Sequence, residues 1–134
     1  MKNDLDTLMA AQNLDAILVT GPAQHNPAMV YMTGGGHLTG ADLIKKRGEE
    51  PILFCYPMER DEAARTGLQT RNLAEYNINE LLKAAGGDLI AASAARYQMM
   101  LNDLGIHSGR MGLYGRLDAG ISFALFSALQ KALP

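Results

Sequence analysis

The stretch His25-Asn26-Pro27-Ala28-Met29-Val30-Tyr31-Met32-Thr33-Gly34-Gly35-Gly36-His37 follows directly on the apolar run Ala16-Ile17-Leu18-Val19, and the two together decide the architecture. Asn26-Pro27 reads as a helix start, with Asn at the cap and Pro at the first helical position, where its missing N–H costs nothing. The helix has to be short because three glycines follow it. Gly34 can end it in a left-handed conformation, and the chain can then run close to another surface with no side chain in the way. The preceding apolar run, bounded by Gly21-Pro22, predicts a central strand over 15–20, buried on both faces. Its carboxyl end delivers the chain into the Asn-Pro/Gly segment, and crevices form at such strand ends in open α/β sheets.

Working outward, Asn3 reads as the cap of a first helix, with Asp6 as a short version of the capping box. Residues 42–46 and 51–56 are β-capable runs joined through Arg47-Gly48-Glu49-Glu50, which predicts an antiparallel hairpin. A helix follows from Glu59 to about Gly67, its acidic first turn favoured by the backbone dipole. Residues 70–75 predict a polar edge strand. Asn77 and Asp88 cap two more helices, the second running over 89–104 with Leu89, Ala92, Arg96 or Tyr97, Met100, Leu101 and Leu104 at intervals of three and four. Residues 110–114 predict the last strand. Asp118 then opens a helix with Ile121, Leu125, Ala128, Leu129 and Ala132 on one face and Phe123 and Phe126 partly off it, a surface broad enough for contacts beyond a local sheet. The order predicts a single α/β domain over 1–134, three-layered, with a mixed sheet of five or six strands and helices on both faces.

Leu14-Asp15-Ala16-Ile17-Leu18-Val19-Thr20-Gly21-Pro22, then Asn26, then Tyr31-Met32-Thr33-Gly34, resembles the opening of the creatinase, prolidase and Xaa-Pro aminopeptidase family. Asn13 and Met32 stand where Gly and Leu are common in that family, and Gly35 and Gly36 follow the Tyr31–Gly34 motif where a larger residue is frequent. Pro51-Ile52-Leu53-Phe54, Met58-Glu59 and Arg110-Met111-Gly112-Leu113-Tyr114 fall in the family's order, so the resemblance spans essentially the whole chain. It implies a layout similar to ribonuclease H. It also implies that this is the accessory N-terminal domain of a metallopeptidase-like hydrolase. The family's catalytic domain holds two divalent metals through Asp, Asp, His, Glu and Glu in a C-terminal part that this chain does not contain. That missing domain and a second copy in a homodimer are the implied partners. His25, Asn26, Tyr31, Gly34, Gly35, Gly36 and His37 are the candidates for substrate access or the subunit interface.

The chain has 134 residues with 12 basic against 14 acidic side chains, a formal charge of −2. This size suffices for one core, and the balance argues against nucleic-acid or membrane-surface binding, both of which use clustered positive charge. Lys45-Lys46-Arg47 reads as a solvated hairpin tip. The single cysteine, Cys55, cannot form an internal disulfide; within Ile52-Leu53-Phe54-Cys55-Tyr56 it is expected to be a small buried hydrophobe. Neither a signal peptide nor a membrane-spanning run is evident, and a cytoplasmic location is expected.

No catalytic constellation emerges. A ribonuclease H-type nuclease would need carboxylates converging on two metals, whereas Asp15 and Asp42 start strands, the other acids fall in helix first turns or turns, and all of them read as caps or solvated charges. His25 and His37 flank the short helix and lack a third ligand; His107 reads as a loop residue. The glycine run follows a helix instead of opening one, so it is no phosphate loop. Three readings stand: a non-catalytic N-terminal domain of a Xaa-Pro peptidase-like enzyme, a free-standing binding or assembly module, and an independent small enzyme using His25 and His37.

Overall fold

The computed structural model describes residues 2–21, 26–34, 40–106, 109–115 and 119–132. The chain divides into two compact units, Met1–Leu73 with Gly109–Arg116, and Ala74–Ser108 with Leu117–Pro134.

The first unit is a five-stranded mixed sheet with short helices, an open α/β arrangement. Its strands are β1 (Ala16–Gly21), β2 (Ala41–Lys46), β3 (Ile52–Cys55), β4 (Gln69–Asn72) and β5 (Met111–Gly115), in the spatial order β4-β3-β2-β1-β5. β1, β2 and β3 form an antiparallel meander, and β4 and β5 extend it in parallel at its two edges. The hairpin and the edge position of β4 follow the sequence. β4 is shorter than expected, giving way at Leu73–Glu75 to a 3-10 turn. β1 is buried on both faces, yet β2 occupies the middle of the sheet. An apolar run marks any interior strand and cannot distinguish the middle one from its neighbour.

The strand register separates two faces. Ile17, Val19, Leu43 and Leu53 join Met9 of α1 (Lys2–Ala11), Met29 of α2 (Pro27–Thr33) and Ala63 of α3 (Arg60–Arg65) in one apolar cluster. Leu18, Ile44 and Phe54 point the other way and are also fully buried. α1 already includes Lys2, so Asn3 lies inside its first turn and is not its cap. Its far end is a Schellman turn. Asn13 N–H donates to Ala10 O at 3.0 Å, Leu14 N–H donates to Met9 O at 2.8 Å, and Asn13 sits at φ 59°. Asn tolerates that left-handed position better than other residues with a Cβ, which accounts for Asn13 standing where Gly is frequent.

Lys45 corrects the reading of the basic run. It pairs with Ile17 across β1 and β2 and shares its face with Leu43, so strand alternation carries it into the interior, where it is 1% exposed. Its Nζ lies 2.7 Å from Asp6 Oδ1 of α1 and donates to Glu49 O at 2.7 Å and Lys46 O at 3.4 Å. Asp6 therefore serves this pair and the Gly48 N–H, 3.0 Å away, instead of a capping box. Arg47 remains exposed.

The second unit is helical: α4 (Ile78–Ala84), α5 (Leu89–Asp103) and α6 (Ala119–Ala132), with α4 and α6 each packed on α5. Asn77 caps α4 through Asn79 and Glu80, and Asp88 caps α5 through Ala91, as the sequence predicts. Ala92, Tyr97, Met100 and Leu101 are buried, whereas Leu89 is 58% exposed because it occupies the first helical turn and faces outward. The buried Tyr76 hydroxyl donates to Asp103 Oδ2 at 2.6 Å, tying the entry of this unit to the end of α5. Leu125 and Leu129 are buried, and Phe123 and Phe126 are exposed. Asp118 lies outside the described residues.

Candidate functional site

The sheet end expected to carry a site is built on Asn26. It is 1% exposed and makes connections in two directions. Its Nδ2 donates to Thr20 O at the end of β1 at 3.0 Å, and its Oδ1 accepts the Met29 N–H at 3.3 Å. One side chain thus fixes α2 to β1 and satisfies a helix N–H that would otherwise lack a partner. Pro27 opens the helix, and Gly34 closes it at φ 79° with its N–H on Val30 O at 2.9 Å. Thr33 Oγ1 donates to Met29 O at 2.7 Å, so its buried hydroxyl is satisfied within the helix.

With Met29 turned into the core, α2 presents Ala28, Tyr31 and Met32 to a groove. Leu5, Leu8 and Met9 of α1 form the opposite wall, Ile17 and Val19 of β1 contribute from the sheet, and Tyr114 of β5 lines one side. The groove measures about 260 Å³. Tyr31 and Tyr114 are 55% and 42% exposed. Gly112 makes room for the second ring: a Cβ there would lie 2.8 Å from Tyr114 Cε2 and 3.3 Å from Leu14 Cδ1. Among the described lining residues Gln12 is the one bearing a side-chain amide, and none is charged. Such a groove can hold an apolar group, and among the described residues its lining offers no carboxylate, imidazole or thiol.

Of the residues singled out from sequence, Asn26, Tyr31 and Gly34 are brought together here, as scaffold, lining and helix terminator respectively. His25, Gly35, Gly36 and His37 lie outside the described residues, as does His107. Tyr114 and the α1 wall were missed. Their alternation and helical periodicity place them on an inner face, but only the parallel pairing of β5 with β1 puts Tyr114 beside α2.

The Asp15 carboxylate is occupied structurally. Asp15 Oδ2 accepts the Arg110 N–H at 2.8 Å and Oδ1 lies 3.3 Å from Arg47 Nη2, which joins the start of β1 to the turn before β5. Asp42, expected to be a solvated charge, is 3% exposed because it lies inside β2 on the side of Thr20 and Ile44. Among the described residues no three His, Cys, Asp or Glu side chains come together in a way that could hold a metal. Cys55 is buried as expected, and burial, then the nearby Glu59 charge, pushes its thiol pKa up.

The five-stranded mixed sheet in the order β4-β3-β2-β1-β5, with short helices packed on it, defines an open α/β domain. The family model for the creatinase/prolidase N-terminal domain matches residues 2–134, and the chain belongs to that family. Among solved structures, it is similar to a dipeptidase from Pyrococcus horikoshii OT3 at TM-score 0.59 and 14% identity, over 96% of this chain and 32% of that one. The N-terminal domain of a Xaa-Pro dipeptidase from Lactobacillus brevis gives TM-score 0.56 and 13% identity, covering 95% and 86% of the two chains. A prolidase from Pyrococcus furiosus gives 0.51 and 16%, covering 92% and 29%. The chain thus spans about a third of the two longer proteins. None of the curated protein sequences compared matches this one. Among the described residues, no helix is long and apolar enough to cross a membrane.

Proposed function

We propose that this chain acts as the non-catalytic N-terminal domain of a cytoplasmic Xaa-Pro peptidase-like or creatinase-like hydrolase, shaping substrate access and the interface of a homodimer. The family match over residues 2–134 carries the reading, since it assigns the whole chain to a domain that makes up about a third of two similar solved proteins. On this view the two divalent metals and the hydrolytic residues belong to a separate C-terminal domain, and the chain contributes surfaces. Asn26 and Gly34 hold α2 in place; Tyr31 is the contact residue they present. His25, Gly35, Gly36 and His37 are further candidates for substrate access or the subunit interface. The exposed Phe123 and Phe126 of α6 give a second apolar surface suited to a partner.

The test has two parts. Reading the transcript beyond codon 134 should reveal a continuing frame that encodes the five metal ligands; a stop codon there overturns the reading in favour of a free-standing module. Calorimetric titration of the purified chain with zinc, manganese and cobalt, together with assays on Xaa-Pro dipeptides, should show neither tight binding nor turnover. Stoichiometric micromolar binding with turnover would instead promote His25 and His37 to ligands of an independent enzyme.

A further inference from the structure

The α1 wall of the groove is anchored differently from the rest of its lining. Among its described side chains only Met9 is buried; Leu5 and Asp6 are half-buried, and Leu8, Ala10 and Ala11 are exposed. A ten-residue helix is marginal by itself in water, so α1 persists through its attachments. Met9 and Leu5 pack on the apolar cluster. Next to Met9 on the helix, a single carboxylate oxygen, Asp6 Oδ1, meets both Lys45 Nζ and the Gly48 N–H of the hairpin.

We propose that α1 is a releasable wall that detaches from the sheet as one unit, with Asp6 as its latch on Lys45 and Gly48, and that its release opens the groove over Ile17, Val19 and Met32. The chemistry around Lys45 makes release less costly than breaking an ordinary buried ion pair. When Asp6 leaves, the ammonium keeps the Glu49 and Lys46 carbonyls, and water enters from the side that Asp6 vacates. The Gly48 N–H lies in an exposed hairpin and is solvated directly. The Asn13 turn marks the end of the detaching unit, because its two closing hydrogen bonds are made to Met9 and Ala10 of α1 itself.

Native-state hydrogen exchange on the full chain at low denaturant tests this. The amides of residues 8–14 should share one opening, on the order of a hundredfold more frequent than that of residues 17–19 and 43–45. Asp6→Asn should make that shared opening about tenfold more frequent again. Exchange of α1 at the same rate as the sheet overturns the proposal, as does a gradient fraying inward from the N-terminus. A shared opening indifferent to Asp6→Asn overturns the latch. Should Asp6→Asn leave no folded chain, Asp6→Glu, with the charge on a longer arm, replaces it.

Discussion

The Asp15 carboxylate occupies the space in which a side chain at Gly109 would begin. A Cβ on Gly109 would lie 2.9 Å from Asp15 Cγ and closer still to Oδ2, and Gly109 already stands at φ 121°. The carboxylate is held there by the Arg110 N–H, so the start of β1 and the turn into β5 are fitted to one another through a missing methyl group.

Gly109→Ala should destabilise the chain by roughly 2–4 kcal/mol, from backbone strain and loss of the Asp15–Arg110 hydrogen bond together. In an Asp15→Ala background the same substitution should cost about 1 kcal/mol less, because the collision with the carboxylate is gone, leaving the backbone strain and a tight 3.1 Å approach to the residue 15 Cβ. Urea denaturation of the four members of the cycle checks this, and purely additive effects would show that the carboxylate is not the obstacle.

Asn26→Ala removes a helix cap and leaves Thr20 O without its buried donor. The expected loss is about 2 kcal/mol, one part for the cap and one for the lost buried hydrogen bond to Thr20 O. Asn26→Asp separates the two roles. It keeps the acceptor for Met29 N but sets a carboxylate against the Thr20 carbonyl, and should therefore remain destabilising. A melting temperature equal to that of the unsubstituted chain would mean that capping alone matters.

Much of this arrangement can be read from residue types because its signals are local. Asn26-Pro27 and Gly34 delimit α2, Asn77 and Asp88 cap their helices, and Arg47-Gly48 turns the hairpin, each through bonds within a few residues. Lys45 shows where local reasoning stops. Its parity with Leu43 directs it inward, but its neutralising partner is Asp6, 39 positions away, and nothing near either residue announces the other. The groove has the same character. Tyr31 stands out in the sequence, whereas Tyr114 reaches it through a parallel crossover whose register is set by long-range pairing.

The Asp6–Lys45 pair should also make stability depend on acid. The Gly48 N–H first, and the Lys45 ammonium second, hold the Asp6 pKa below its ordinary value of 3.8, with Arg47 adding a smaller pull in the same direction. A carboxylate with a depressed folded-state pKa contributes its full stabilisation above the unfolded value and loses it as pH falls through the folded one. Asp6's contribution should be constant from pH 7 to about 5, begin to fade below about 4 and be gone only once the pH has fallen below the folded-state value. Melting curves of the unsubstituted chain and Asp6→Asn should converge on acidification; a gap that persists at pH 2.5 would assign the effect to packing.

Cys55 should be inert in the folded chain. Desolvation disfavours its thiolate, the Glu59 charge adds to that, and the side chain is 5% exposed. A maleimide at pH 8 should label native protein on the order of a hundredfold more slowly than denatured protein. Equal rates would mean that β3 opens to solvent on the labelling timescale.

Asn13 offers the most direct test of why this residue stands in the turn that closes α1. At φ 59° a Cβ is tolerated only with strain, which Asn relieves in part through its short polar side chain and Gly avoids altogether. Asn13→Ala should therefore cost about 1 kcal/mol, and Asn13→Gly should be neutral or slightly stabilising despite the greater freedom that Gly gives the unfolded chain. The Leu14 N–H to Met9 O bond closes the turn and seats Leu14 beside Met9 in the core cluster, so the loss in Asn13→Ala should reach α1 as a whole. Denaturation midpoints give the overall cost, and far-ultraviolet circular dichroism before the transition reports any helix already lost. An Ala variant as stable as the Gly variant would show that the turn accommodates a β-carbon by shifting into the right-handed region, and the Schellman geometry would then be dispensable to the attachment of α1.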